Sequence, residues 1–244
     1  DSTARLAQAE RDKAWSQMAR QVAHEIKNPL TPIKLEIQRL IRLKENGNPK
    51  WEEKFDQVAA VVLEHIQLLS DTANDFSTFA KLYTEEPVLM DLDKTLKEQL
   101  VIFDNKENIK FTYIGMEEAY IRAPKPQLIR VLVNLITNAV QAVEIMQNEM
   151  ADNGEETFLG NILICLRNSS RDGYYDITVE DNGPGVKGEN LDKLFTPNFT
   201  TKTGGTGLGL AICRNIIEKC EGEIRYQKSF GLGGASFIIT IPKH

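Results

Sequence analysis

The chain has 244 residues, of which 41% are hydrophobic and 26% charged, and its formal net charge is -6 at pH 7. This composition excludes collagen-like, low-complexity and disordered chains. The longest apolar run, Val58–Leu63, has six residues, and the next, Ile162–Leu166, has five, whereas a membrane helix needs roughly 20. The polar first residues also lack a signal peptide pattern.

Charge and cysteine content narrow the class further. Residues 1–85 carry 12 Lys+Arg against 13 Asp+Glu and residues 86–244 carry 17 against 22, so the two parts have charges of -1 and -5. Neither part is a basic nucleic-acid module, and we expect no nucleic-acid partner and no membrane contact by this part of the protein. Three cysteines without CxxC spacing argue against disulfides or a zinc site and fit a reducing compartment.

Residues 1–85 are predicted to form a helical hairpin. Apolar residues recur close to the helical period from Trp15 to Leu40 and again from Trp51 to Ala80, with turn residues at Asn46–Pro49 between them. A lone pair of helices leaves much of this wide stripe in water. We therefore expect two copies to form a four-helix bundle, and hence a homodimer.

One histidine of the first helix has unusual neighbours. His24 lies opposite the apolar stripe, and Asn28 and Thr31 follow on the same face at i+4 and i+7. A histidine on a polar helix face is ordinarily just solvated. Pro29 and Pro32, however, remove two backbone donors close by, so we expect a kink beside an exposed nucleophile, which indicates a function.

Residues 86–244 are predicted to form an α+β domain after a linker at Tyr83–Pro87. The expected helices are Leu92–Phe103, Gln127–Met146 and Gly209–Lys219, with a loop at Gln147–Glu156. The expected strands are Ile109–Tyr113, Ala119–Ile121, Ile162–Arg167, Tyr174–Glu180, Glu223–Gln227 and Ser236–Ile241. This order favours a mixed sheet with helices on one face, and P-loop and Rossmann motifs are absent from the sequence.

Three clusters in this domain indicate a nucleotide site. Asn134 and Asn138 share one face of the long helix. Asp181–Gly185 follows a strand with a carboxylate and two glycines, although the same residues make ordinary turns. Lys202–Leu210 leads a glycine-rich loop into a helix, where free amides and the helix dipole favour phosphate over a plain linker.

In order and spacing these segments resemble the five sequence boxes of sensor histidine kinases. The similar segments are His24–Leu30 (H box), Asn134–Ala139 (N box), Asp181–Gly185 (first glycine box), Phe195–Phe199 (F box) and Gly205–Gly209 (second glycine box). Thr31–Pro32 and Gln141–Ala142 are most similar to the nitrogen-regulation type. The resemblance covers nearly the whole chain. It implies a HisKA-type dimerisation and phosphotransfer hairpin over residues 1–85 and an ATPase domain of the GHKL, or Bergerat, fold over residues 86–244.

The resemblance implies Mg-ATP-dependent autophosphorylation of His24 and phosphoryl transfer to an aspartate of a response-regulator receiver domain. In the hairpin, His24 would attack the γ-phosphate and Glu25 would take its proton as general base. Asn28 matches the position that places water for dephosphorylation of the regulator, a second expected activity.

The resemblance also implies how ATP is held. Asn138 would coordinate Mg²⁺ with Asn134 near the phosphates, and Asp181 would accept a hydrogen bond from the adenine amino group. Gly183 and Gly185 would let the backbone approach the nucleotide. The loop Phe199–Gly207 would form a mobile lid, and the residues expected at the phosphates are Gly205, Thr206, Gly207, Leu208 and Gly209.

One position departs from the family pattern. Many relatives carry Lys or Arg three residues after the second N-box Asn, whereas this chain has Gln141. Lys202 is the candidate for the missing basic phosphate contact, with a solvated loop charge as the alternative reading.

Two other functions fit parts of the pattern: a chain that acts mainly as a phosphatase of its regulator, and a nucleotide-gated scaffold without phosphotransfer. An ATPase of the chaperone or mismatch-repair kind would share the ATP boxes but not the hairpin with His24. The first 14 residues resemble the middle of a signalling helix. We therefore expect a cytoplasmic piece of a longer protein, with a sensor region and membrane helices upstream.

Overall fold

The structure, a computed structural model, describes the backbone of residues 2–81, 85–154, 158–196, 199–200 and 207–244, and the side chains of these residues apart from 2–15, 17–18, 21, 75 and 78–81. The chain divides into two compact units. One comprises Asp1–Tyr83 with Asn198–Leu208, and the other comprises Thr84–Pro197 with Gly209–His244.

The first unit contains the predicted helical hairpin. Helix α1 spans Ser2–Glu45 and helix α2 spans Lys50–Lys81. Gly47 turns the chain between them with φ +64°, and the Asn48 side chain accepts a hydrogen bond from the Lys50 amide. Helix α1 continues as one helix through Pro29 and Pro32. The two prolines therefore do not end it, and the expected kink stays a prediction.

The hairpin buries only part of its apolar surface. The buried side chains include Val22, Val58 and Thr72. Other large apolar side chains of the same two helices remain exposed, namely Leu30, Leu35, Ile37, Ile41, Phe55, Leu63 and Ile66. Most of these flank the packed stripe, so the hairpin presents a second apolar surface.

The second unit is built on a five-stranded mixed sheet. Its strands are β2 (Ile109–Ile114), β4 (Gly160–Asn168), β5 (Tyr174–Asp181), β6 (Glu223–Lys228) and β7 (Ala235–Pro242). They lie in the order β2-β4-β5-β7-β6, with β2 parallel to β4 and the other pairs antiparallel. Strands β1 (Val88–Asp91) and β3 (Tyr120–Ala123) form a separate antiparallel pair.

The helices of this unit form one layer. Helix α4 (Lys125–Asp152) packs on β4 and β5, α5 (Gly209–Lys219) contacts α4 and β6, and α3 (Leu92–Leu100) contacts α4. Two 3₁₀ helices, Val101–Phe103 and Gly188–Lys193, connect these elements. The predicted α+β fold with helices on one face of a mixed sheet is therefore confirmed.

Among the described residues, α4 is the one helix whose length and hydropathy would suffice to cross a membrane. The apolar side of α4 is instead buried in the core of the domain. The buried residues are Gln127, Leu128, Val131, Leu132, Leu135, Ile136, Ala139, Val140 and Val143.

Two local predictions were wrong, and one strand was not predicted. The loop expected from Gln147 is helical as far as Asp152, because Gly154, with φ +69°, is the first residue suited to a left-handed helix end. Strand β1 was not predicted, since four residues carry little periodicity. The helix predicted over Leu92–Phe103 changes to a 3₁₀ turn after Leu100. The predicted linker and loop also include residues 83–84 and 155–156, which lie outside the described residues.

Candidate functional site

The polar face of α1 carries the predicted phosphoacceptor segment. His24, Asn28 and Thr31 are exposed and Glu25 is half-buried. The Thr31 hydroxyl donates to the Lys27 carbonyl oxygen at 3.2 Å, so it is used within the helix. An imidazole and a carboxamide one turn apart are thus presented to solvent, and the imidazole is a nitrogen nucleophile.

In the second unit, α4 carries the predicted amide pair. Asn138 Nδ2 donates to Asn134 Oδ1 at 3.0 Å, and both side chains are half-buried. Gln141, at the position where relatives carry a basic residue, is exposed. The hydrogen bond orients both amides on one side of the helix.

Two glycine segments approach this face of α4. A Cβ added at Gly209, the first residue of α5, would lie 2.6 Å from Asn134 Nδ2. A Cβ added at Gly183 would lie 2.8 Å from Ala142 Cβ and 2.9 Å from the Ala142 carbonyl carbon. The approach at Gly183 requires glycine because the neighbouring atoms include backbone, whereas a Cβ at Gly209 would displace the Asn134 side chain. Residues 134, 138 and 142 are successive i+4 positions, so the structure brings the three predicted clusters together along two turns of α4.

The carboxyl group of Asp181 is buried at the end of β5, where the residue is 2% exposed. Its Oδ1 accepts from the Gly183 amide at 2.9 Å and from the Ala235 amide at 3.2 Å. Burial raises the pKa of this carboxyl, the two amide donors offset part of the effect, and the neighbouring charge of Glu180 adds to it. Both of these hydrogen bonds use Oδ1, so Oδ2 is the acceptor that a ligand donor would meet.

The loop between β6 and β7 is a part of the site that sequence reasoning missed. The Gly234 amide donates to the Asp181 carbonyl oxygen at 3.2 Å, and a Cβ at Gly234 would lie 2.4 Å from Asp181 Oδ1. The signal was present as three glycines at 231, 233 and 234 before the last strand. Such glycines are also typical of a hairpin turn, so they did not indicate a ligand.

Aromatic side chains support the segment that follows the Asp181 loop. Gly185 has φ +69°, and the Val186 amide donates to the Tyr226 hydroxyl at 3.2 Å. Phe195, the first residue of the F box, packs edge-on against Phe237 with ring centroids 6.3 Å apart. The sheet thus holds both ends of the segment that leads towards the predicted lid.

Only part of the predicted lid and phosphate loop is described. Gly207 has φ +66° and Leu208 is buried. Lys202, Gly205 and Thr206 lie outside the described residues. Among the residues that the structure describes there is no cluster of three His, Cys, Asp or Glu side chains able to hold a metal. A cation here would need amide and phosphate oxygens as ligands.

Comparison with known proteins identifies both parts of the chain. Residues 14–85 match the His Kinase A (phospho-acceptor) domain, and residues 124–244 match the family of histidine kinase-, DNA gyrase B- and HSP90-like ATPases. The nitrogen regulation protein NtrY of Azorhizobium caulinodans is 30% identical over 244 residues, which cover 99% of this chain and 30% of NtrY. This similarity confirms the predicted likeness to the nitrogen-regulation type.

Solved structures agree with the sequence comparison. The catalytic domain of histidine kinase ThkA is 32% identical with a TM-score of 0.54, over 65% of this chain and 96% of that domain. ThkA in complex with the response regulator protein TrrA is 28% identical with a TM-score of 0.67, over 97% of this chain and 64% of that one. This chain spans about a third of the length of the full-length relatives it matches. It is a protein histidine kinase core and belongs to the sensor histidine kinase family.

Proposed function

We propose that this core uses Mg-ATP, bound in a domain of residues 86–244, to phosphorylate His24 in a dimeric hairpin of residues 1–85. The phosphoryl group then passes to an aspartate of a response-regulator receiver domain. The observation that carries the proposal is the meeting of Asn134, Asn138, Gly183 and Gly209 on one face of α4, beside a buried carboxyl.

The residues of the cleft fit an adenine nucleotide. Asp181 supplies a buried acceptor for the adenine amino group, with Oδ1 already held by two amides. The first turn of α5, beginning at Gly209, supplies backbone amides that the helix itself does not use and the positive end of a helix dipole for the phosphates. The glycine approaches at Gly183 and Gly209 leave the backbone close to the amide pair.

The same cleft fits Mg²⁺. Side-chain amide oxygens and phosphate oxygens are the hard ligands that this ion prefers, and Asn138 offers an amide oxygen on the face that Asn134 shares. Mg²⁺ held there by Asn138 would neutralise part of the phosphate charge. Lys202 is proposed as the basic phosphate contact, since Gln141 supplies no charge.

At the hairpin, the reaction needs an exposed nucleophile and a base. An imidazole nitrogen of His24 forms the new bond to the γ-phosphorus, the bond to the bridging oxygen breaks, and ADP leaves. The imidazole proton passes to the Glu25 carboxylate, the next residue along α1. The exposure of His24 supports this role, because the side chain is accessible to a nucleotide and to a second protein.

A response regulator is the proposed acceptor of the phosphoryl group. The support comes from ThkA, whose structure contains the response regulator protein TrrA and aligns with 97% of this chain. Asn28 is exposed one turn after His24, where its amide would hold a water against a phosphorylated aspartate. Kinase and phosphatase activities would then use different side chains of one helix face.

The second apolar surface of the hairpin supports a homodimer. Leu30 and Ile37 on α1 and Phe55 and Ile66 on α2 are displaced in the same rotational sense from the packed stripe and are about 40–50% exposed. In an antiparallel pair such positions lie on one side of the hairpin. A second copy covering that side would complete a four-helix bundle. We further propose that the core works in the cytoplasm, where ATP is available, as part of a longer membrane-anchored sensor.

Incubation with γ-labelled Mg-ATP tests the reaction. We expect label that is lost in acid and survives alkali, as phosphohistidine does. His24→Gln should abolish the label, and Glu25→Gln should slow it roughly a hundredfold, because a general base typically contributes that much or more. His65→Gln is the matched control, since the His65 ring is bonded to the Val61 carbonyl oxygen within α2. Label retained by His24→Gln would contradict the assignment.

Asn28→Ala separates the two activities. We expect normal labelling of His24 but at least tenfold slower loss of phosphate from the phosphorylated regulator, because the side chain positions water and not ATP. The measurement is phosphate release from purified phosphorylated regulator. Equal loss of labelling and release would show that Asn28 has no separate role.

Asp181→Asn should weaken ATP binding and raise the stability of the fold. The asparagine oxygen still accepts the two amides, but its nitrogen cannot accept from adenine, so calorimetry should show at least tenfold weaker ATP binding. Because the pKa of Asp181 is raised, its buried charge costs stability above that pKa. The variant should therefore melt at a higher temperature at pH 7.5, with an advantage that shrinks as the pH falls. Asp172→Asn, at an exposed turn, is the control; an unchanged or lower melting temperature for Asp181→Asn would contradict the sign.

Ile66→Glu should weaken the dimer. A charge placed in the covered apolar surface is costly to bury, so the mass measured by light scattering should shift towards that of a monomer at micromolar concentration. Leu63→Glu is the control on the same helix, because Leu63 is 66% exposed and lies off this surface. If both variants behave alike, another surface forms the dimer.

A further inference from the structure

The end of β5 places two adjacent carboxyl groups on opposite faces of the sheet. Asp181 pairs in register with Ile162, a buried residue on the helix-facing side, and Glu180 pairs with Leu163 and Ser236. Successive strand residues alternate faces. Glu180 therefore lies behind the cleft, where the proposed chemistry does not use it.

Ser229 joins Glu180 to the β6–β7 loop. Ser229 is 1% exposed, and its hydroxyl donates to Glu180 Oε2 at 2.7 Å. The same hydroxyl oxygen accepts from the Leu232 amide at 3.0 Å. The backbone carbonyl oxygen of Ser229 accepts from the Gly233 amide at 3.0 Å. A short, part-buried hydrogen bond to a carboxylate is stronger than one between neutral groups, so Ser229 ties the loop to β5.

The loop transmits this anchoring to Asp181. The Ser229 amide donates to the Gly234 carbonyl oxygen at 2.9 Å, while the Gly234 amide donates to the Asp181 carbonyl oxygen at 3.2 Å. Gly234 is thus held on both sides, and its neighbour Ala235 delivers an amide to Asp181 Oδ1. A Cβ added at Gly234 would lie 2.4 Å from Asp181 Oδ1, so the loop backbone passes close to the carboxyl, and the Ala235 amide couples the position of that oxygen to the loop.

We propose that Ser229 and Glu180 are positioning residues for adenine recognition, which hold the β6–β7 loop so that Asp181 keeps one oxygen aimed at the amino group of the base. The proposal rests on the proposed role of Asp181. In this proposal, residues on the sheet face opposite the helices affect which base is bound. The phosphate contacts are made by α4 and α5.

Base selectivity distinguishes positioning from simple structural support. Inosine triphosphate has the phosphates of ATP but carries an oxygen where adenine has its amino group, so it cannot donate to Asp181. A variant that merely weakens the domain loses affinity for both nucleotides. A variant that misplaces Asp181 loses affinity for ATP and leaves inosine triphosphate nearly unchanged.

The experiment is calorimetric titration of the full chain with each nucleotide in the presence of Mg²⁺. We expect wild type to prefer ATP and Ser229→Ala to lower that preference about three- to tenfold, the effect typical of one lost hydrogen bond. Glu180→Ala should do the same, whereas Glu180→Gln, which keeps an acceptor oxygen, should retain most of the preference. In an Asp181→Asn background, Ser229→Ala should change the ratio no further, because the two residues act through one contact.

Two control variants change residues that make none of the proposed contacts. Ser169→Ala removes a hydroxyl from the β4–β5 turn, where Ser169 accepts from the Arg171 amide. Phe230→Ala removes a side chain that is 93% exposed at the loop tip. Neither should alter the ratio of affinities. Thermal melts of every variant identify any that fail to fold. If Ser229→Ala does not fold, the comparison of Glu180→Ala with Glu180→Gln tests the proposal instead.

The outcomes separate this inference from the proposed function. A wild-type chain that fails to bind ATP, or binds both nucleotides equally, would contradict the role of Asp181 itself. Normal wild-type preference with an unchanged ratio in Ser229→Ala and Glu180→Ala would overturn only the positioning role. Loss of affinity for both nucleotides in equal measure would assign Ser229 to stability alone.

Discussion

The close approach of two glycine segments to helix α4 is the constraint on which the rest of the cleft depends. A Cβ at Gly183 would meet the Cβ and backbone of Ala142, and a Cβ at Gly209 would meet the Asn134 side chain, so the strand end and the start of α5 both lie against one face of α4. A larger residue at position 183 would push the Asp181 loop away from α4, whereas one at position 209 would displace the Asn134 amide. The distance between the Asp181 loop and α4 is therefore set by backbone packing, which is stiff.

Asp181 shows how the fold accommodates an isolated buried carboxyl. Two backbone amides meet one of its oxygens, yet burial still raises its pKa, so the compensation is incomplete. The contrast with Asp93 is instructive. Burial alone would raise the pKa of that carboxyl too, but hydrogen bonds from Lys97 and Tyr113 outweigh it and hold the pKa below its ordinary value. Among the residues that the structure describes, no cation pairs with Asp181, whereas Lys97 pairs with Asp93; this difference is consistent with a carboxyl reserved for a ligand.

Sequence patterns predicted the fold class and most of its elements, and the physical reasons are clear from individual elements. The hairpin helices were predictable because their apolar spacing repeats over many turns, whereas β1 has only four residues and is defined by its pairing with β3. Asn134 and Asn138 were predictable because i and i+4 are near in sequence. The bond from Ala235 to Asp181 joins residues 54 positions apart, so only the register of β5 against β7 reveals it. The packing of Gly183 on Ala142 was likewise hidden, since glycine after a strand is read first as a turn.

The prolines of α1 have a mechanical consequence. Pro29 and Pro32 have no backbone N–H, so α1 lacks two of its backbone hydrogen bonds just after His24, although the helix is continuous there. With fewer hydrogen bonds, the helix needs less energy to bend at this point than elsewhere along its length. A bending force applied to α1 would therefore meet least resistance close to His24. Helix α1 is thus easiest to bend beside the residue that we propose to be phosphorylated.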